Sequence, residues 1–287
     1  MTTQVYDDRV STLGEGAFWH PVRKQFFWFD IVGGKLHTRD AHGRKSWDLG
    51  EYGSAAGWLD ENHLLIATET GLWRFGIETG ARERIVTLEE GKSDIRSNDG
   101  RADPWGGFWI GTMSKTHAKG AGAFYRFYKG ELRKLFGAMT IPNATCFAPD
   151  RSRAIFTDTD TRQVMQVALD PATGWPSGEP TVYIDFNADE LNPDGAVIDA
   201  DGRLWVAQWG ASRVAAYDGA GKLVKAVSVP VPQVTCPAFG GADLSALYIT
   251  TARENMDIKT IAQFSESGMV FRAESVGRGM AESQVIL

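Results

Sequence analysis

The chain has 287 residues, of which 43% are hydrophobic and 23% charged, as in globular proteins that bury a sizeable core. Its net charge of −6 and its lack of any run of Lys and Arg argue against nucleic acid as a partner. The first residues do not form a basic region followed by an apolar segment, and no apolar run approaches the roughly 18 residues that span a bilayer. The sequence therefore predicts a cytoplasmic protein with no membrane partner.

A short run rich in aromatic and β-branched residues recurs six times along the chain, and such runs are typical of β-strands. The runs centre on Trp28, Leu65, Trp109, Phe156, Trp205 and Tyr248, at intervals of 37 to 49 residues. In five of the repeats a second strand-like segment follows, at residues 71–75, 122–127, 163–170, 213–218 and 268–272. Gly, Asp and Pro, which supply the backbone angles of tight turns, separate the runs.

This regular spacing predicts an all-β fold with a single domain, residues 1–287: a six-bladed β-propeller with four-stranded blades. A β-sandwich, the alternative, does not repeat at so regular an interval, and no segment has convincing helical periodicity. Since a propeller must close its ring, residues near 4–10 are expected to pair with strands of the C-terminal blade. The two cysteines, Cys146 and Cys236, are expected to be free, buried thiols.

A polar residue precedes each of the six runs by 11 or 13 residues. The residues at these ring positions are Glu15, Ser54, Asn98, Asn143, Asp194 and Thr235. The residue two positions further along is small in every repeat, and the one after four positions is bulky and apolar in five of the six. Alternate residues of a strand share one face. The pattern therefore predicts that six polar side chains converge on the axis of the propeller.

Such a ring offers only oxygen-rich ligands. Ca²⁺, Mg²⁺ and Mn²⁺ prefer these groups, and Zn²⁺ or Fe²⁺ accept them. A cation between the two carboxylates would also relieve their mutual repulsion and their loss of hydration. The residues are thus consistent with one divalent metal ion in a central metal-binding channel, and equally with a polar channel filled with water.

Five stretches, spread over nearly the whole chain, form a specific combination of motifs. They are LGEGAFW (13–19), IRSNDGRADPWGGFWIGTM (95–113), IPNATCFAPD (141–150), NPDGAVIDADGRLWVA (192–207) and FGG (239–241). In this order they resemble the SMP-30/gluconolactonase/regucalcin-like family of sugar lactonases. The resemblance implies a six-bladed propeller, in agreement with the repeat count, and it favours the metal ion over the water-filled channel.

The resemblance also implies roles for individual residues. In that family a Glu, an Asn and an Asp hold the metal, and the matching motifs place these at Glu15, Asn143 and Asp194. The Arg and Asn that contact the substrate in the family match Arg96 and Asn98.

One loop departs from the family pattern. Lys115 and His117 stand where the better-known animal members have an acidic stretch after GTM, which leaves the identity of the sugar and the role of residues 114–122 open. His117 is the substrate contact that we predict in this loop. Polar residues two positions before the ring are further candidates for the rim of the site, namely Tyr52, Asn192 and Gln233.

We therefore predict a lactonase, a carboxylic ester hydrolase that converts a sugar (aldono) lactone, its small-molecule partner, into the aldonic acid. A metal-activated water attacks the carbonyl, and Asp194 is the predicted general base. The protein is expected to be a monomer or a weak homo-oligomer.

The alternative function is that of a non-catalytic calcium-binding or scaffold propeller of regucalcin type. Arg96 and Asn98 argue against it, because ion binding alone does not require them. A further alternative is an ester or organophosphate hydrolase on the same fold. Such enzymes generally surround the metal with more ligands, often including His, and the predicted ring lacks these.

Overall fold

Six antiparallel sheets of four strands each form a ring in the computed structural model, which describes residues 2–40 and 43–287. The first strand of each sheet contacts the first strands of both neighbouring sheets, and these contacts close the ring around a central axis. This arrangement confirms the six-bladed propeller that the sequence repeats predict.

The strands follow the chain from the axis outward in each blade, except that the N-terminal strand, β1 (Gln4–Asp7), joins blade 6. Blade 1 consists of β2 (Gly14–His20), β3 (Gln25–Asp30), β4 (Lys35–Asp40) and β5 (Gly43–Asp48). Blade 2 consists of β6 (Gly53–Asp60), β7 (His63–Thr68), β8 (Gly71–Gly76) and β9 (Arg82–Thr87). Blade 3 consists of β10 (Ile95–Ala102), β11 (Phe108–Ser114), β12 (Gly122–Tyr128) and β13 (Glu131–Met139).

The second half of the ring repeats the same order. Blade 4 consists of β14 (Pro142–Phe147), β15 (Arg153–Asp158), β16 (Gln163–Ala168) and β17 (Thr181–Asp185). Blade 5 consists of β18 (Asn192–Ile198), β19 (Leu204–Trp209), β20 (Arg213–Tyr217) and β21 (Leu223–Ser228). Blade 6 consists of β22 (Val234–Gly240), β23 (Ala246–Thr251), β24 (Val270–Ala273) and finally β1.

The six aromatic and β-branched runs form the second strand of each blade, and their side chains fill the spaces between blades. The buried apolar residues of the described chain fall into six clusters, each lying mainly between two adjacent blades. Between blades 3 and 4, for example, the ring of Trp109 meets that of Phe147 edge-on at 5.4 Å, and Phe124 meets Phe156 at 5.3 Å. Both faces of these strands are covered, which explains why they read as continuous apolar runs.

Helical structure is confined to short connections. Between β23 and β24 lies one six-residue helix, α1 (Ile258–Gln263), whose first turn is capped because Asp257 accepts a hydrogen bond from the Thr260 amide at 2.7 Å. A single turn and a half is too short to show helical periodicity, so the sequence pattern missed it. No helix in residues 2–40 and 43–287 has the length and apolar character needed to cross a membrane. Cys146 and Cys236 are free and buried, as expected.

The ring is closed by β1, which pairs antiparallel with β24 at the outer edge of blade 6. This confirms the expected pairing of the N-terminus with the C-terminal blade, over Gln4–Asp7. At the end of this strand, the buried Asp7 carboxylate accepts hydrogen bonds from Arg9 Nε at 2.9 Å and from Arg9 Nη2 at 3.0 Å. Arg9 Nη2 also donates to the Thr38 carbonyl of blade 1 at 2.8 Å. The ion pair thus attaches the closing strand to the first blade.

Replacing Asp7 by Asn should weaken this closure. The change leaves the Arg9 guanidinium without its buried counter-charge, a loss that typically costs about 3–5 kcal/mol of unfolding free energy. Asp8→Asn is the matched control, because the neighbouring Asp8 carboxylate is exposed and pairs only with Arg44, which should be worth less than about 1 kcal/mol. Urea unfolding followed by tryptophan fluorescence measures both, and equal effects of the two variants would contradict this account of ring closure.

The effect of Asp7 should also depend on pH. Burial opposes ionisation of Asp7, but the hydrogen bonds and charge of Arg9 outweigh it and hold the pKa of this carboxyl below its usual range. A carboxyl with a lowered pKa in the folded state stabilises the fold above its unfolded-state pKa and loses that contribution as the pH falls through the folded-state pKa. The stability difference between wild type and Asp7→Asn should therefore be full at pH 7 and shrink in acid below about pH 4.

Candidate active site

The axis opens at one end into a cavity of about 560 Å³, a size typical of sites for small molecules. Four residues of the predicted ring line it: Glu15, Asn98, Asn143 and Asp194. Each of the four side chains lies on the first strand of its blade, and each is more than 90% buried. The cavity therefore has a polar floor built from four different blades.

The first strands are not regular at these positions. In all six, the pairing with the second strand shifts next to the ring residue, as between Glu15 and Phe18 or between Asn143 and Cys146. Gly16 and Ala144, directly after two ring residues, have φ of +58° and +57°. An irregularity of this kind is a β-bulge, which turns the strand locally and re-aims its side chains. The sequence pattern had predicted uninterrupted alternation instead.

Two of the six ring residues do not reach the cavity. Ser54 Oγ donates a hydrogen bond to Ser97 Oγ at 2.7 Å, and Thr235 Oγ1 donates to the Gly14 carbonyl at 2.5 Å. Both hydroxyls join neighbouring first strands to each other. The predicted convergence of six polar side chains is therefore wrong for Ser54 and Thr235, whose short hydroxyls are used to connect blades.

A chain of hydrogen bonds fixes the amide side chains on the floor of the cavity. Arg96 Nη1 donates to Asn98 Oδ1 at 2.7 Å, and Asn98 Nδ2 donates to Asn143 Oδ1 at 3.0 Å. Asn143 Nδ2 in turn donates to Thr159 Oγ1 at 3.0 Å, and the Thr159 hydroxyl donates to the Pro193 carbonyl at 2.7 Å. The chain runs from blade 3 to blade 5, so each amide has one orientation, and Asn143 Oδ1 is an acceptor.

The two carboxylates carry the strongest electrostatic signal in the cavity. Burial and the nearby charge of Asp99 raise the pKa of Glu15 to about 8. Burial and the charge of Glu15 raise the pKa of Asp194 well above its usual range. Neither carboxylate forms a salt bridge with a described Lys, Arg or His side chain, although the Arg96 charge lowers the pKa of both slightly. The two acids thus share a buried site in which no described basic side chain pairs with them directly.

These residues fit a divalent cation. Two carboxylates and the Asn143 amide oxygen form an all-oxygen donor set, and a cation between them would offset the burial and the acidic charges that raise their pKa values. Across residues 2–40 and 43–287, no cluster of three or more His, Cys, Asp or Glu side chains is arranged to hold a metal. The candidate centre therefore depends on the amide as its third donor.

The remaining predicted substrate contacts divide between the cavity wall and its surroundings. Arg96, His117, Asn192 and Gln233 line the cavity. Tyr52 does not; its ring lies 5.3 Å from the Lys115 ammonium group. Lys115 itself is held outside the cavity by Glu69 and by the Ser93 carbonyl at 2.8 Å. Of the two residues that replace the acidic stretch, only His117 lines the cavity. Tyr52 and His117 both remain predicted substrate contacts, and of these two only His117 is a lining residue.

Several residues of the site were missed in the sequence. Asp99 lies next to Asn98 and accepts a hydrogen bond from the Thr145 amide at 2.6 Å, and its charge acts on both Glu15 and Asp194. The only feature of the sequence that could have indicated a role for Asp99 is its position directly after Asn98 in the IRSNDG stretch. Arg162, which donates to Asn192 Oδ1 at 3.1 Å, and Glu254 line the rim from loops that carry no recognisable pattern.

The cysteine thiols near the axis take no part in this chemistry. Burial raises the pKa of Cys146 to about 12 and that of Cys236 well above its usual value. A thiol rather than a thiolate is therefore present at neutral pH, and thiols are poor nucleophiles. Cys236 instead packs against Gly195, where an added Cβ would lie 2.7 Å from the sulfur.

Comparisons with known proteins agree on one family. The sequence profile of the SMP-30/gluconolactonase/LRE-like region matches residues 13–253. A protein of Rhizobium meliloti named "Putative sugar lactone lactonase" is 42% identical over 92% of this chain and 90% of its own length. The L-arabinolactonase of Azospirillum brasilense is 32% identical over 96% and 93%. The crystal structure of regucalcin from Agrobacterium tumefaciens, described as a calcium-binding protein, has a TM-score of 0.97 at 36% identity and covers 100% of this chain and 98% of its own.

Substituting Gly16 by Ala should disturb the site from the backbone. Gly16 has a φ that L-residues rarely adopt, and an added Cβ would lie 2.2 Å from the Ser54 carbonyl oxygen on the neighbouring first strand. We expect a loss of about 2–5 kcal/mol of unfolding free energy from strain and overpacking together. Because Glu15 precedes this residue, cation affinity should fall as well.

Gly130→Ala is the matched control for this substitution. Gly130 also has a positive φ of +79°, but nothing lies within 4 Å of the position of an added Cβ. It should lose only the backbone term of about 1–2 kcal/mol and leave cation affinity unchanged. Thermal unfolding and calorimetric titration measure the two effects, and a Gly16→Ala protein that matches Gly130→Ala in both would refute the proposed crowding at the axis.

Proposed function

Because the chain belongs to the SMP-30/gluconolactonase/LRE-like family, we propose that it is a lactonase that hydrolyses a sugar lactone with one bound divalent cation. The observation that carries the proposal is the pair of buried, unpaired carboxylates, Glu15 and Asp194, on the floor of a cavity of small-molecule size. The substrate is an aldono-lactone and the product is the corresponding aldonic acid. Water adds to the carbonyl carbon, the bond from that carbon to the ring oxygen breaks, and the ring oxygen takes up a proton.

The proposed ligands of the cation are Glu15, Asn143 and Asp194. When bound, a divalent cation in such a site acts as a Lewis acid toward a carbonyl and lowers the pKa of water. Ca²⁺ suits the all-oxygen donor set, and the regucalcin of Agrobacterium tumefaciens is described as a calcium-binding protein. Mg²⁺, Mn²⁺, Zn²⁺ and Fe²⁺ remain compatible with the same donors.

The protein residues around the cation position the reactants. Asp194 accepts the proton of the attacking water as general base, since its carboxylate lies on the cavity floor where water and substrate enter. Arg96 holds Asn98 with one nitrogen and presents its remaining donors to the cavity, where they would bind sugar hydroxyls or the carboxylate that forms. His117, Asn192 and Gln233 supply further polar contacts from the wall.

A second candidate function is calcium binding without catalysis. The similarity to a regucalcin described as a calcium-binding protein favours it specifically. The two candidates share the cation and differ in the use of the rim, where His117, Asn192 and Gln233 and the free donors of Arg96 would serve only a substrate. Cation binding by the purified protein with no turnover of any lactone would support this second function.

Removing a proposed ligand should abolish turnover without unfolding the protein. For Asp194→Ala and Asn143→Ala we expect kcat/KM for the best lactone to fall by roughly 10²–10⁴-fold, the range typical for loss of acid–base catalysis. Far-ultraviolet circular dichroism should remain that of the wild type, and Asp8→Asn serves as the control with unchanged activity. Near-wild-type turnover in both ligand variants would defeat the proposed mechanism.

Chelation should separate the role of the cation from that of the fold. A panel of aldono-1,4- and 1,5-lactones, followed by acid release, should show turnover that EDTA removes and one added metal restores. In EDTA at neutral pH, Asp194→Asn should melt at a higher temperature than the wild type, because the pKa of Asp194 is raised in the folded state and its ionisation therefore favours the unfolded chain. Added cation should raise the melting temperature of the wild type much more than that of Asp194→Asn. The reverse order in EDTA would show that burial of the Asp194 carboxyl does not destabilise the metal-free protein.

A further inference from the structure

Beneath the cavity, a single arginine joins three of the first strands. Arg101 lies on β10, three residues after Asn98, and its side chain is 13% exposed. Its Nε donates to the Thr145 carbonyl of β14 at 3.0 Å, and its Nη2 donates to the Ala196 carbonyl of β18 at 3.0 Å. One guanidinium therefore connects blades 3, 4 and 5 at the axis.

The three connected strands are those that carry Asn98, Asn143 and Asp194. Thr145 follows Asn143 by two residues and Ala196 follows Asp194 by two residues, so both accepting carbonyls lie directly below proposed cation ligands. Thr145 lies in the bulged stretch of its strand, where the pairing with the second strand is interrupted, and Ala196 is the residue at which pairing resumes in β18. Buried backbone carbonyls at such interruptions require a donor, and Arg101 donates to both.

The third partner of Arg101 comes from the C-terminal tail, defined here as residues 279–287. Arg101 Nη1 pairs with the Glu282 carboxylate, which is 11% exposed. The tail crosses the end of the axis opposite the cavity and is held by its backbone: the Trp58 indole donates to the Glu282 carbonyl, and the Val285 amide donates to the Trp58 carbonyl, both at 2.9 Å. Val285 is buried between blades 2 and 3.

Little space separates this ion pair from the candidate site. A cavity of only about 10 Å³ lies between them, bordered by Gly16, Asp99, Arg101 and Glu282, which is room for about one water molecule. A shift of the Arg101 guanidinium acts directly on the strands above it, because its nitrogens are hydrogen-bonded to the backbone of both.

We propose that Arg101, held and neutralised by Glu282 of the C-terminal tail, is a positioning residue that sets the spacing of Asn98, Asn143 and Asp194 around the cation. The inference rests on the proposed function. Glu282 has two effects: it fixes the guanidinium in the orientation that reaches both carbonyls, and it cancels a positive charge on the axis that would oppose cation binding. The tail thereby becomes part of the site although it lies at the opposite end of the ring.

The test compares two substitutions in the tail. Glu282→Gln keeps the size of the side chain and removes its charge, whereas Gln284→Ala removes a different anchor of the tail, the hydrogen bond to the Leu59 carbonyl. Calorimetric titration with Mn²⁺ should show a 10- to 100-fold weaker affinity for Glu282→Gln, as is typical when an outer partner of a metal ligand is lost. Gln284→Ala should stay within twofold of the wild type. Melting in EDTA controls for general loss of stability, which both variants share.

Substitutions of Arg101 separate geometry from charge. Arg101→Lys retains the charge but cannot reach both carbonyls, and it should weaken Mn²⁺ binding at least tenfold. The double variant Arg101→Gln with Glu282→Gln is neutral on the axis, yet it should not restore affinity, because the link between blades 4 and 5 is still missing. Wild-type affinity in Glu282→Gln, or recovery in the double variant, would overturn the positioning role. Absence of Mn²⁺ binding by the wild-type protein would instead contradict the proposed function itself.

Discussion

Two carboxylates buried side by side on the axis, those of Glu15 and Asp194, are the constraint on which the rest of the site depends. Burial raises the pKa of both carboxyls; the charge of Asp99 adds to the effect at Glu15, and the charges of Glu15 and Asp99 add to it at Asp194. Such a pair persists in a folded protein only where something compensates for it, since unpaired buried charges are strongly unfavourable. Arg96 and Thr159 orient the two amides, and no described basic side chain forms a salt bridge with either acid, so the proposed cation is the group that would supply this compensation.

The bulges in the first strands explain how a repeated β-structure yields an asymmetric site. All six strands shift their pairing near the same place, but the residues that follow differ. Gly16 and Ala144 take positive φ values, and in an L-residue such as Ala144 this costs about 1–2 kcal/mol. The apolar clusters between blades hold this strain in place, because strained backbone persists only where its surroundings over-determine it. The apolar contacts between the blades therefore stabilise the fold, whereas the polar residues of the candidate site lie at the axis.

Much of this could be predicted from the sequence, because burial in each blade repeats with a local pattern. The strand runs and turn residues gave six blades, and the position of Glu15, Asn98, Asn143 and Asp194 before each run placed them on the cavity floor. The fate of Ser54 and Thr235 could not be predicted, since it depends on acceptors in neighbouring blades. Asp99 was missed for a related reason: regular alternation would turn it away from Asn98, but the bulge brings its carboxylate under the site.

The elements that close the ring lie outside the region that matches the family profile, residues 13–253. Strand β1 combines its backbone pairing with β24 with the Asp7–Arg9 ion pair. Most of the C-terminal tail acts through backbone hydrogen bonds, to the Trp58 and Gly106 carbonyls, and such contacts accept almost any side chain. Glu282 is different, because its carboxylate neutralises a buried guanidinium that holds three first strands together. A tail that only sealed the axis would tolerate substitution at every position. A tail that balances the charge of Arg101 requires an acid at this one position, and this requirement links the last residues of the chain to the chemistry at the other end of the axis.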